Sequence, residues 1–172
     1  MKPFFTTGFA TSTHINEMIA ISVSNYKALY PEAGENKYDN RAKVMAAQLN
    51  HECALAPQGN ILYPAIFDKY GELLGWSRIK HDKKTDTVLI DNYHVADNHD
   101  VVKEYLEDHA FEHGKKANPK KIMIIAAGRV VTIEHNPAAE KIMTRNKDEI
   151  ISNAYQHISK IAPEATKLII AA

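Results

Sequence analysis

The sequence predicts one α/β domain, built on a mixed, mostly antiparallel sheet flanked by three or four helices. Three observations lead there. Two early segments carry helical periodicity, three closely spaced β-rich segments follow with short turns between them, and Ile122 to Ala127 is an unbroken apolar run. Such a run suits a strand covered on both faces. At 172 residues the chain fits one domain with a full hydrophobic core.

Residues 1–12 mix Pro3, Phe4, Phe5 and Phe9 with small polar residues, and read as a short strand or an arm that docks its aromatics elsewhere. From Thr13, a plausible N-cap, the residues Ile15, Met18, Ile19, Ser22, Tyr26 and Leu29 form one helical face, and Pro31 stops the helix. After a polar loop, Glu32 to Lys37, Asp39 or Asn40 caps a second helix. Its face is Ala42, Met45, Ala46, Leu49 and Cys53, and it ends at Pro57-Gln58-Gly59.

Ile61 to Asp68, Leu73 to Lys80 and Thr87 to Val95 are the three strands, and their short turns favour an antiparallel meander. Asn98 or Asp100 caps a third helix, with Val102, Tyr105, Leu106, His109, Ala110 and His113 on one face and Gly114 as its C′ residue. Lys120 to Ala127 is the buried strand. Val130 to Glu134 either continues it past a bulge at Gly128 or returns as a hairpin. Pro137 suits the first turn of a helix starting at Asn136, Lys147 to Ala162 reads as a further helix, and Leu168 to Ala172 as a terminal strand.

Lysines plus arginines number 21 and aspartates plus glutamates 21, so the whole chain carries no electrostatic footprint for nucleic acid. The single cysteine, Cys53, leaves no internal disulfide to form and points to a reducing compartment. Asn16, Glu17 and Ser22 interrupt the apolar run Ile15 to Val23, which excludes a membrane-spanning helix there. No basic region followed by an apolar stretch and a small-residue cleavage site opens the chain, so cytoplasmic residence is the expectation.

Two helices, a three-strand meander, a helix, a buried strand, then a helix and a terminal strand is an order that resembles the GNAT superfamily of N-acetyltransferases, over roughly residues 13–145. Asn136-Pro137-Ala138-Ala139-Glu140-Lys141-Ile142 is similar to the family's asparagine–two residues–alanine–two residues–aliphatic signature, which opens the helix after the fifth strand. Asp91-Asn92-Tyr93-His94-Val95 is similar to the family's fourth strand. The resemblance implies acetyl-coenzyme A or a related small-molecule thioester as cofactor. The backbone of Asn92, Tyr93, His94 and Val95 would hold the pantetheine arm, with Asn98 and Asn136 also at the cofactor. The pyrophosphate would lie at the N-terminus of the following helix, where orphan N–H groups and the helix dipole favour negative charge.

The loop Ala96-Asp97-Asn98-His99-Asp100 departs from the family pattern, since it lacks glycine, arginine and glutamine and carries two carboxylates. Met143 occupies the position where the family often has a tyrosine as general acid. Glu52, Asp91 and Glu134 are the candidate general bases for deprotonating an amine, if they lie along the meander cleft. Cys53 sits on an apolar helical face, where a thiol is structural rather than nucleophilic.

His109 and His113, four apart on a helix, have a spacing that suits one metal, but equally extend a half-buried face, and no metal is assigned. Arg78, Lys80, Lys83 and Lys84 surround a hairpin, where they meet phosphates or guard a sheet edge.

Two functions follow. One is an acyl-coenzyme A dependent N-acyltransferase. The other is a non-enzymatic member of the same fold that binds a protein partner or a second copy of itself, for example in a phage particle, which would place it in a virion.

Overall fold

The computed structural model describes residues 5–55, 60–126, 129–134 and 169–171. Strand β1 (Thr6–Phe9) leads through a 3-10 turn into helices α1 (Ile15–Leu29) and α2 (Glu35–Leu55). Next come β2 (Ile61–Leu62), β3 (Pro64–Phe67), β4 (Leu73–Asp82) and β5 (Thr87–Val95). Helix α3 (Asp100–Lys116) then precedes β6 (Lys121–Ala126), β7 (Arg129–Glu134) and β8 (Ile169–Ala171). The sheet runs β1-β3-β4-β5-β6-β7-β8, with β2 also paired to β4. The pairs β5–β6 and β7–β8 are parallel and the rest antiparallel.

The meander is present as expected. Its first strand is broken at Tyr63, and both pieces pair with β4. Within the N-terminal segment, Thr6–Phe9 form an edge strand: β1 pairs with β3, while Phe9 packs its ring 4.7 Å from His113 and 5.4 Å from His109. After β6 the chain returns antiparallel as β7, so the hairpin alternative holds. The helices expected from Asn136 and over 147–162 lie outside the described residues.

Three local expectations change. Thr11, not Thr13, caps the first helical turn, because the short 3-10 turn Ser12–His14 precedes α1 and forms a capping box with His14. Helix α2 begins at Glu35, directly after Gly34 at φ 90°, so the loop is shorter than its polarity suggests. Tyr38 explains the early start: its hydroxyl donates to the carbonyls of Tyr30 and Pro31 at 2.7 and 2.9 Å, tying α2 to the end of α1. Gly114 lies inside α3, which runs on to Lys116. A Cβ there would come within 3.1 Å of Ile90 Cδ1, so glycine lets α3 lie close on β5.

Neighbouring residues of one strand point to opposite faces. Ala65 joins the cluster of Met18, Met45, Leu49 and Trp76, whereas Ile66 joins Val95, Val102 and Leu106. Thus α1 and α2 cover one face and α3 the other. Trp76, fully buried, anchors the first layer by donating Nε1–H to the Met18 carbonyl at 3.0 Å. Phe111, Ile90, Ile122 and Ile124 fill the second. Among the described residues no helix is long and apolar enough to cross a membrane.

Candidate functional site

Strands β5 and β6 pair only from Thr87↔Lys121 to Ile90↔Ile124. Beyond that point β5 carries a bulge. Trp76 opposes His94 and Arg78 opposes Asp91, so β5 holds one extra residue, and Asn92 takes φ 56°. Asparagine tolerates this left-handed geometry better than most residues. The unpaired ends bound a cleft of about 400 Å³ that reaches both faces of the sheet. Tyr93, His94, Val95 and Ala126 form its floor, Ser22, Tyr26 and Arg41 one wall, and Asp100, Lys103 and Glu107 the other.

The cleft holds titratable groups out of water. Glu107 is 9% exposed, and burial pushes its carboxyl up to about 7; Lys103, 4.0 Å away, opposes the shift and Glu104 adds to it. His94 is 8% exposed and packs on Trp76 at 4.8 Å between ring centroids. Burial, then the Arg41 charge, push its imidazole down to about 4. The guanidinium of Arg41 sits 4.8 Å over the Tyr26 ring.

At one end of the cleft stands the N-terminus of α3. His99 is its N-cap residue but makes no side-chain cap, and the first backbone donor to turn inward is Lys103, bonding to the His99 carbonyl. The N–H groups of the first turn thus have no acceptor within the helix. The preceding 3-10 turn, Ala96–Asn98, carries Asp97 at φ 52°. On the opposite side, Asn25 of α1 imitates a neighbouring strand. Its Nδ2 donates to the Val95 carbonyl at 2.8 Å, and the Val95 N–H donates to its Oδ1 at 3.1 Å.

Beside the cleft lies a second polar cluster. Arg78 donates Nε–H and Nη2–H to the two carboxylate oxygens of Asp91 at 2.8 and 2.6 Å, and Nη1–H to Glu52. Glu52, 8% exposed, also accepts from the Tyr63 hydroxyl at 2.5 Å and from Gln48 at 3.2 Å. Burial and the bond to Glu52 raise the Tyr63 phenol well above its usual range, while the bond to Asp91 raises Arg78.

No protein-family model matches the sequence, and no curated protein matches it closely. Solved structures do resemble it. An N-acetyltransferase named PaiA from Thermoplasma acidophilum, in complex with coenzyme A, superposes with a TM-score of 0.60 at 13% identity, over 84% of this chain and 87% of that one. An acetyltransferase of the GNAT family from Staphylococcus aureus Mu50 superposes at 0.51, with 10% identity over 83% and 82%. RimL, a ribosomal alpha-N-protein acetyltransferase in complex with coenzyme A, gives 0.52 at 13% identity over 83% and 78%.

The chain has the GNAT fold.

Within this GNAT fold, two of the three expected bases come together, joined by Arg78. Asp91 spends both oxygens on it, and Glu52 divides its oxygens among Arg78, Gln48 and Tyr63. Glu134 stands apart. It pairs with Lys121, which in turn pairs with Thr87, at the end of β5 remote from the cleft. Tyr93, His94 and Val95 do line the cleft, whereas Asn92 lines an adjoining groove with Gln48 and Lys37. Asn98 lies in the turn before α3, and Asn136 and Met143 fall outside the described residues.

Arg78 is not part of a surface basic cluster but is largely buried in its ion pairs; Lys80, Lys83 and Lys84 are exposed. His109 donates its Nε2–H to the Gly8 carbonyl at 2.8 Å, and no group of three ligating side chains is placed for a metal among the described residues. Cys53 is half-buried, and burial, aided by Glu52, raises its thiol. Sequence reasoning missed Glu107, Arg41, Ser22 and Asn25. Glu107 did leave a signal, a carboxylate between the apolar positions Leu106 and Ala110 of one helix face.

Proposed function

We propose that this chain is an acyl-coenzyme A dependent N-acyltransferase whose reaction takes place in the cleft between β5 and β6. The observation that carries this reading is the separation of the parallel pair after Ile90↔Ile124, with the uncapped N-terminus of α3 beside the opening. A coenzyme A thioester fits in part. The free N–H groups of Asp100 to Val102 suit its pyrophosphate, and Lys103 adds a cation near them. Val95 does not fit the expected role, because Asn25 already satisfies its N–H and carbonyl. Tyr93 and His94 remain as the strand residues along the cleft. When bound, the thioester supplies an activated acyl group.

The chain's own contribution is proton handling and exclusion of water. An acceptor amine reacts only when neutral, so a base must take its proton. Glu107 has the required character: buried, in the cleft, and with a carboxyl near neutrality, where a general base works best. We assign it that role in place of Glu52, Asp91 or Glu134. Transfer of acetyl from acetyl-coenzyme A to a panel of amines should therefore rise with pH through about 7. In E107Q that limb should vanish and the rate drop by roughly 10²-fold or more. An unchanged rate and profile in E107Q would remove Glu107 from the mechanism.

The Asn25–Val95 clasp favours a second reading, a GNAT-fold module that binds a protein partner or a second copy instead of the cofactor. Acetyl transfer to any amine tested counts against it.

A further inference from the structure

We infer that Ser22, Arg41 and His94 form a binding site for the carboxylate of a small amino acid, whose amine is the acceptor group of this cleft. The inference rests on the acyl-transfer reading for the fate of the amine, but the carboxylate site stands on its own geometry.

Ser22 Oγ, Arg41 Nε and His94 Nε2 are each buried and find no hydrogen-bond partner among the described residues, and all three residues line the same cleft. Ser22 is fully buried and His94 is 8% exposed. Buried polar groups are normally satisfied, and leaving one unpaired is costly. Three beside one cavity describe a cradle whose bonds are completed by a ligand. Their chemistry selects it. Arg41 Nε is a donor, and the Ser22 hydroxyl and a neutral imidazole can each donate or accept, so an acceptor group suits the set. Stacking over Tyr26 holds the guanidinium plane, the geometry that matches a planar carboxylate.

Charge settles the rest. Among the described residues that line the cleft, Arg41 is the one cation from α1 and α2, so this wall matches a single negative charge rather than a phosphate dianion. The facing wall carries Asp100 and Glu107, with Lys103 as their one cation. The cleft is thus polarised across its width, guanidinium against carboxyls. A zwitterion with one carboxylate and one amine matches both walls at once, and its amine end would face Glu107.

The test uses the full chain without thioester, titrated with L-alanine, sodium acetate and ethylamine. The His94 ring ¹⁵N resonances, assigned by comparison with H94Q, report binding. L-alanine should shift them and bind at least tenfold more tightly than acetate, and ethylamine should leave them unmoved. R41M should abolish the shift and R41K retain part of it. If R41M does not fold, S22A should weaken L-alanine binding about tenfold while keeping the fold. His94 resonances unmoved by L-alanine, or moved equally in R41M or S22A, would overturn the site. Acetate binding as tightly as L-alanine would overturn the amino-acid assignment. Acetyl-coenzyme A is titrated separately: if L-alanine binds but acetyl-coenzyme A does not, the acyl-transfer reading falls and the site stands, and if acetyl-coenzyme A binds but L-alanine does not, the site alone falls.

Discussion

Glu107 and His94 face one cleft with opposite consequences for stability. Burial holds Glu107 protonated up to about 7 instead of the ordinary 4.5. Its contribution is therefore complete below pH 4.5 and is lost as pH rises through 7. His94 is held neutral down to about 4 instead of 6.5, so its contribution is complete above pH 6.5 and is lost as pH falls through 4. At ~1.4 kcal/mol per unit each amounts to about 3 kcal/mol, and in the wild type the two slopes oppose. In urea unfolding between pH 4 and 7, E107Q should lose about 3 kcal/mol more than wild type on acidification. Parallel profiles would show that Glu107 is not buried as described. His94 was named in the sequence reading of its strand, whereas Glu107 was not singled out in the reading of its helix. A glutamate among apolar helix positions ordinarily reads as solvated, and only the packing of α3 across the split reveals that it is not.

At the scale of elements, the β5 bulge creates the cleft. It needs a residue able to sit at φ 56°, and Asn92 supplies it. N92G should leave stability almost unchanged, whereas N92V should cost about 1–2 kcal/mol, the left-handed penalty for a side chain branched at Cβ. Chemical denaturation separates the two, and equal effects would mean that the backbone conformation is not what Asn92 provides. The strands and helices of the meander region were legible, because periods of two and 3.6 persist along them. The bulge was not, since one extra residue leaves Asp91 to Val95 looking like regular strand. The early start of α2 was hidden too: Tyr38 is drawn into the helix by hydrogen bonds to Tyr30 and Pro31, a tertiary cause with no local signature.

Across the whole molecule, Arg78 links the layers. It joins α2 through Glu52, β5 through Asp91 and, by way of Glu52, the strand break at Tyr63. R78M would leave two carboxylates without their cation and should destabilise the fold by about 3–5 kcal/mol in equilibrium unfolding. A loss below about 1 kcal/mol would mean that the cluster is solvated. The order of elements, and with it the GNAT fold, was legible as far as β6. The hairpin to β7 remained one of two alternatives, because a glycine between two apolar runs is compatible with a bulge or a turn. The site was legible only as a region, for two of the three expected bases, Glu52 and Asp91, are engaged by a single arginine whose partners no spacing could name.

The measurement that bears most directly on the account is calorimetric titration of the protein with acetyl-coenzyme A at two salt concentrations. The cleft beside the uncapped α3 N-terminus predicts saturable binding that weakens as salt rises, since phosphates held by N–H groups and Lys103 are partly screened. No heat up to millimolar ligand at either salt concentration would contradict it, and would leave the GNAT fold here without its thioester.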